Sequence, residues 1–117
     1  MWLLFSMKKE YRIRKNEEFS SIIALKKSCA CKSFVMYYAP RKLDHVRAGI
    51  SVSKKLGDAV VRNKIKRQVR MMFLKTYDFN NEKHDLICIV RSKYKDNSYD
   101  ENSKMLEKLI KKAIIRQ

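Results

Sequence analysis

Acidic residues are scarce in this chain of 117 residues. Twelve aspartates and glutamates face 28 lysines and arginines, giving a formal charge of +16 and a pI near 10.0. That imbalance points to an anionic partner: RNA, DNA or an acidic membrane surface. No apolar run approaches the ~20 residues that a membrane-spanning helix needs. Cysteine is limited to Cys29, Cys31 and Cys88. The number is odd, and the C-x-C spacing of the first two has no second close pair to complete a zinc site. They read as ordinary thiols in a reducing compartment, and the expected location is the cytoplasm. His45 and His84 are isolated in the sequence, so no histidine pair for acid–base cleavage is present, and no carboxylate cluster suits a two-metal site. The single proline and two glycines leave no low-complexity segment, and no internal repeat is found.

What is there bounds the rest. A length of 117 residues with 45% hydrophobic side chains is expected to form one domain, 1–117, with a single modest core. The first six residues, MWLLFS, are too short and lack the basic start of a signal peptide. They read as a short extension, with Met7 as an alternative start. Residues 1–15 are expected to be an extended or flexible lead-in.

The chain is organised around Ser51 to Tyr77. Seven basic residues fall between Lys54 and Arg70. Asp58 is placed to cap a helix, because its carboxylate can accept from first-turn amides and suits the positive dipole end. Gly57 before it permits a sharp turn. At about 100° per residue, Val61, Ile65, Val69, Met72 and Phe73 share an apolar side. Asn63, Lys66, Arg67 and Arg70 share the opposite side, and no acid from Val61 to Tyr77 neutralises it. A solvated face is the ordinary reading of a basic helix. Like charges at i, i+4 spacing repel, however, and a polyanion on that face would relieve them.

Other elements follow in order. Asn16 is placed to cap a short helix that carries Phe19, Ile22 and Ile23 on one face. Cys29 to Lys32 is a short strand or loop. Ser33 to Ala39 is a strand stopped by Pro40, with Phe34, Met36 and Tyr38 on one side and Val35 and Tyr37 on the other. Arg47 to Ser53 is a strand with one apolar side and one small-residue side of Gly49, Ser51 and Ser53. Asp78 to Asp85 reads as a loop. Leu86 to Val90 is apolar on both sides, hence central and covered. Ser98 and Glu101 fit a capping box. The last helix carries Leu106, Leu109, Ile110, Ala113 and Ile114 at helical spacing. The pattern is an α+β sandwich, one sheet with helices packed on it. Its strand–helix–strand unit is right-handed by default.

The run Arg62-Asn63-Lys64-Ile65-Lys66-Arg67-Gln68-Val69-Arg70 resembles the basic RNR motif, of the form RNxxKRxxR, of the bacterial ribonuclease P protein family. RIRKNEEF at Arg12 to Phe19, SFVMYYA at Ser33 to Ala39 and RAGISVSKK at Arg47 to Lys55 extend the resemblance over nearly the whole chain from Met7. The resemblance implies a four-stranded sheet with three helices in the order αβββαβα, and a left-handed crossover in place of the default hand. It implies a protein subunit, one copy per RNA, of a ribonucleoprotein. That particle cuts precursor transfer RNA endonucleolytically to leave the mature 5′ end. The catalyst would be the RNA, positioning Mg2+, with no catalytic residue or metal ligand in this chain.

Two sets of contacts are then implied. Arg62, Asn63, Lys66, Arg67 and Arg70 would bind the catalytic RNA, arginine gripping phosphate in a fork and lysine as a point charge. A cleft between the first helix, the sheet and the start of the basic helix would take the single-stranded 5′ leader. Phe19, Val35 and Tyr37 would line it, with Ser51, Ser53, Lys54 and Lys55 along the side and Arg91 at the strand exit. Lys93 would be a weaker contact. The chain departs from the family pattern at Ile23, where many relatives have a second aromatic; Ile23 can pack but not stack. A ribosomal or RNA-assembly protein is the alternative reading. A sequence-specific DNA reader would need a helix–turn–helix or similar module, which is not found. A membrane binder would need the apolar helix face that the sheet takes.

Overall fold

The computed structural model describes residues 11–77 and 82–115. The expectations for the first ten residues and for 78–81 lie outside the described residues.

Branched and aromatic side chains at period two build the sheet. β1 (Ser28–Ala30), β2 (Phe34–Pro40), β3 (Ala48–Val52) and β4 (His84–Val90) assemble in the order β1-β2-β4-β3. β4 pairs antiparallel with β2 and parallel with β3. That central place explains why Leu86, Ile87 and Cys88 are apolar in succession and fully buried. The helices are α1 (Asn16–Ala24), α2 (Ala59–Thr76) and α3 (Tyr99–Ile115), so the order αβββαβα holds. The parallel β3–β4 pair is connected through α2.

The sheet separates two apolar clusters. Phe34, Met36 and Tyr38 pack with Ile65, Val69, Met72 and Phe73 of α2 and with Leu106, Leu109, Ile110 and Ala113 of α3. The opposite face is covered in part by α1, where Ile13, Ile22, Ala39 and Ile87 form a smaller cluster. The side chain of Ile114 lies outside the described ones.

The helix signals behave as their chemistry demands. Asp58 Oδ1 accepts from the Val61 amide at 3.0 Å, and Gly57 turns the chain at φ +147°. Ser98 and Glu101 close a capping box at 2.9 and 3.2 Å. Besides one-residue shifts at the start of β2 and at both ends of β3, three boundaries differ from expectation. Asn16 is the first helical residue, not the cap: Lys15 is the extended residue before the helix, and its carbonyl accepts from Glu18 and Phe19. Pro40 ends β2 from within, opposite His84 at the last rung, where a missing N–H disturbs the ladder least. Asp85 belongs to β4, not to a loop, because its buried carboxylate accepts from the Arg47 amide at 2.8 Å.

Candidate nucleic-acid interface

Directly opposed residues share a sheet face. Ser28, Tyr37, Ile87 and Gly49 therefore form one row on the α1 side, and Ala30, Val35, Ile89 and Ser51 the next. α1 sits over the first of these. Gly49 is what lets it approach: a Cβ there would stand 2.7 Å from Phe19 Cζ and 3.2 Å from Ile13 Cβ. Phe19, Tyr37 and Ile89 are only partly buried against this cluster, and Val35 and Ser51 are half-buried, so this half of the sheet keeps an open surface.

Ahead of α1 the arm runs along the outer edge of β3. Arg12 bridges Ala48 in parallel fashion, and the Ile13 amide donates to the Ala48 carbonyl at 3.0 Å. Past that point arm and strand diverge. A cleft of about 530 Å³ opens between the arm and α1 on one side and α2 on the other. From α1 come Asn16, Phe19, Ser20 and Ile23, at i, i+3, i+4, i+7 spacing on one helix face. Ile50, Ser51 and Val52 line it from β3, Arg14 from the arm, and Lys66 and Arg70 from α2. Its charged lining is Arg14, Lys66 and Arg70, without an acid. Burial, and then the nearby Arg12 guanidinium, hold Arg70 below the ordinary arginine pKa. The cation is thus partly desolvated and repelled by a like charge, which is an arrangement that an anion relieves.

This geometry refines one expectation and corrects another. The basic side of α2 is unevenly buried. Asn63 and Arg67 are exposed on the outer side, whereas Lys66 and Arg70 are half-buried and turn into the cleft beside Phe19 and Ser51. The cleft also takes its cations from the middle of α2 rather than from its start. Arg62, at the start, is half-buried and does not line it.

The remaining residues gather at one end of the sheet. Ser53 caps a 3-10 turn (Lys54–Leu56), its hydroxyl accepting from the Lys55 amide at 3.2 Å. Lys54 and Lys55 are exposed on that turn. Arg91, exposed beyond β4, donates to the Cys31 carbonyl at 3.0 Å. Lys93 is exposed in a second 3-10 turn, Ser92–Asp96.

The arm residue Arg14 and the helix residues Asn16 and Ser20 escaped the sequence reading. The signal was present in Tyr11-Arg12-Ile13-Arg14: apolar and basic residues alternate with period two, and Ile13 is buried while Arg14 is exposed. In the first turn of α1, Glu18 is held by Arg47 at 2.7 Å, and Arg47 reaches Asp85 at 3.4 Å. Burial pushes the Asp85 carboxyl above its ordinary pKa, while the Arg47 amide and guanidinium pull it back down.

Among the described residues, no helix is long and apolar enough to cross a membrane. Residues 7–114 match the sequence model of the family described as Ribonuclease P. The chain is 44% identical over 105 residues to the ribonuclease P protein component of Mesoplasma florum, covering 89% of this chain and 96% of that protein. It is 46% identical over 108 residues to the component from Staphylococcus epidermidis, covering 92% and 93%. The solved ribonuclease P protein of Staphylococcus aureus superposes with a TM-score of 0.78, at 43% identity, over 88% of this chain and 94% of that one. The protein from Thermotoga maritima gives 0.71, at 28% identity, over 84% and 94%. A family match along nearly the whole chain, together with a fold shared with solved members, shows that the chain belongs to the ribonuclease P protein family, the protein component of that transfer-RNA-processing enzyme.

Proposed function

We propose that this chain binds the catalytic RNA of ribonuclease P through the outer side of α2 and holds the 5′ leader of precursor transfer RNA in the adjoining cleft. The observation that carries this reading is the acid-free cleft in which Phe19 and Ser51 meet Lys66 and Arg70. An aromatic ring next to cations suits an unpaired strand, since any base can stack and any phosphate can pair. Asn63 and Arg67, with Arg62 beside them, remain for the catalytic RNA. Lys66 and Arg70 stand between the two RNAs and serve the leader. Val35, Tyr37, Ser53, Lys54, Lys55 and Arg91 extend the leader surface over the open sheet and its end.

Endonucleolytic hydrolysis at the mature 5′ end is then the work of the RNA, which holds the Mg2+. The chain itself is assigned binding and orientation of the two RNAs. A single copy per RNA, in the cytoplasm, completes the reading.

The test is cleavage of 5′-labelled precursor at low magnesium by the protein, a bacterial ribonuclease P RNA and their mixture. A single cut at the mature 5′ end in the mixture alone is expected. Tight RNA binding without stimulation would favour the ribosomal or assembly alternative. Catalytic-RNA affinity should also fall steeply with salt, and Arg67→Ala should reduce that slope by about one unit. An unchanged slope in filter binding would remove the outer side of α2 from the interface.

A further inference from the structure

A second cavity, of about 680 Å³, opens on the other side of the arm, between the first turn of α1 and the 41–47 loop. Arg14 lines both this cavity and the cleft, so the two adjoin at the arm. The ingredients of the cleft recur here. Arg12 and Lys15 supply cations. Leu43, 48% exposed, supplies an apolar surface. The His45 imidazole stands edge-on to Tyr11 at 4.9 Å and supplies a ring. Two carboxylates also line the cavity, but their charges are unequal in effect. Glu18 is held by the Arg47 guanidinium at 2.7 Å, which compensates it. Glu17 remains, outnumbered by Arg14 and Lys15.

We propose that this cavity is a second subsite for the same RNA strand. Leader nucleotides lying 5′ of those in the cleft cross the arm over Arg14 and enter it. His45 and Leu43 meet a base, while Lys15 and Arg14 meet phosphates. The inference rests on the leader reading of the cleft and adds to it a dependence on leader length: a short leader ends in the cleft and a long one gains the second subsite.

The experiment measures affinity of the reconstituted holoenzyme for precursors with leaders of about four and about ten nucleotides, a range typical of single-strand sites. The comparison is wild type against a protein carrying Lys15→Gln and His45→Gln, with thermal melting to confirm that both are folded. Wild type is expected to bind the longer leader about tenfold more tightly, the scale of one stacked base with its neighbouring phosphate. The double variant should lose that gain and bind the short leader as wild type does. Equal loss at both lengths would place the cavity against another part of the complex, and no loss at either length would leave it without a ligand; both overturn the subsite. Phe19→Ala separates this from the cleft reading, because it should weaken both leaders. If it weakens neither, the cleft reading fails whatever the double variant does.

Discussion

Replacing Gly49 with alanine is expected to cost the holoenzyme about tenfold in its preference for precursor over mature transfer RNA, the scale of one lost base stack. The cause is steric. The new methyl would lie 2.7 Å from Phe19 Cζ, closer than real contacts come, and 3.2 Å from both Phe19 Cε1 and Ile13 Cβ, which is tight on the arm side as well. Gly49 sits in β3 beside Ile87 of the central strand and cannot withdraw without breaking the parallel ladder. The ring must move, and it is the ring that lines the cleft. Overpacking of this kind costs about 1–3 kcal/mol of stability, small enough for the protein to stay folded. A double-mutant cycle isolates the path. In a Phe19→Ala background the obstructing ring is absent, and Gly49→Ala should then have little further effect on leader preference. Additive losses would show that Gly49 acts on something other than Phe19.

That coupling shows what could and could not be read from the sequence. The small-residue side of β3 was legible, but whether it faced a helix or a bound chain was not, because strand periodicity assigns faces without naming what lies over them. Asp58, Gly57 and the Ser98–Glu101 box were legible because capping is chemistry within a few residues. The basic helix was legible as a helix with a charged side. Its division was not. The turn angle places Lys66 and Arg70 near Asn63 and Arg67. Only tertiary packing decides that Lys66 and Arg70 point across a cleft at α1 while Asn63 and Arg67 point outward. Likewise, β3 as the edge strand, with the arm laid against Ala48, is a consequence of sheet order. No local pattern encodes it: the period-two alternation of Tyr11 to Arg14 marks an extended arm with Arg14 on its outer side, but not the cleft that Arg14 and Asn16 line. The hand of the β3–α2–β4 connection rests on the resemblance alone, since the general rule favours the opposite hand.

Arg47→Met is expected to be the most damaging change away from the cleft, destabilising the protein by about 3–5 kcal/mol at neutral pH, as for a broken buried ion pair. Domains of this kind have about 5–15 kcal/mol in all, so the variant should melt far below wild type. Among the described residues, Arg47 is the cation placed between Glu18 on α1 and Asp85 on β4, at 2.7 and 3.4 Å. Methionine fills much of the same volume and leaves two carboxylates facing each other. The pH dependence identifies the group responsible. Asp85 already has a raised pKa, burial being the largest cause, with the Glu18 charge adding to it and Arg47 opposing. Removing the guanidinium raises it further. A carboxyl whose folded pKa is raised binds more protons in the native state, so stability falls as pH climbs from the unfolded aspartate value of about 3.9 through the folded value. The deficit of Arg47→Met relative to wild type should therefore be smaller near pH ~5 than near pH ~7. Adding Asp85→Asn should recover much of the loss at neutral pH, because the amide oxygen can still accept from the residue 47 backbone N–H, which now donates to Asp85 Oδ1 at 2.8 Å. Thermal melts of the two variants at both pH values decide the matter. A deficit independent of pH, or no recovery with asparagine, would mean that Arg47 stabilises through packing of its aliphatic stem rather than by neutralising Asp85.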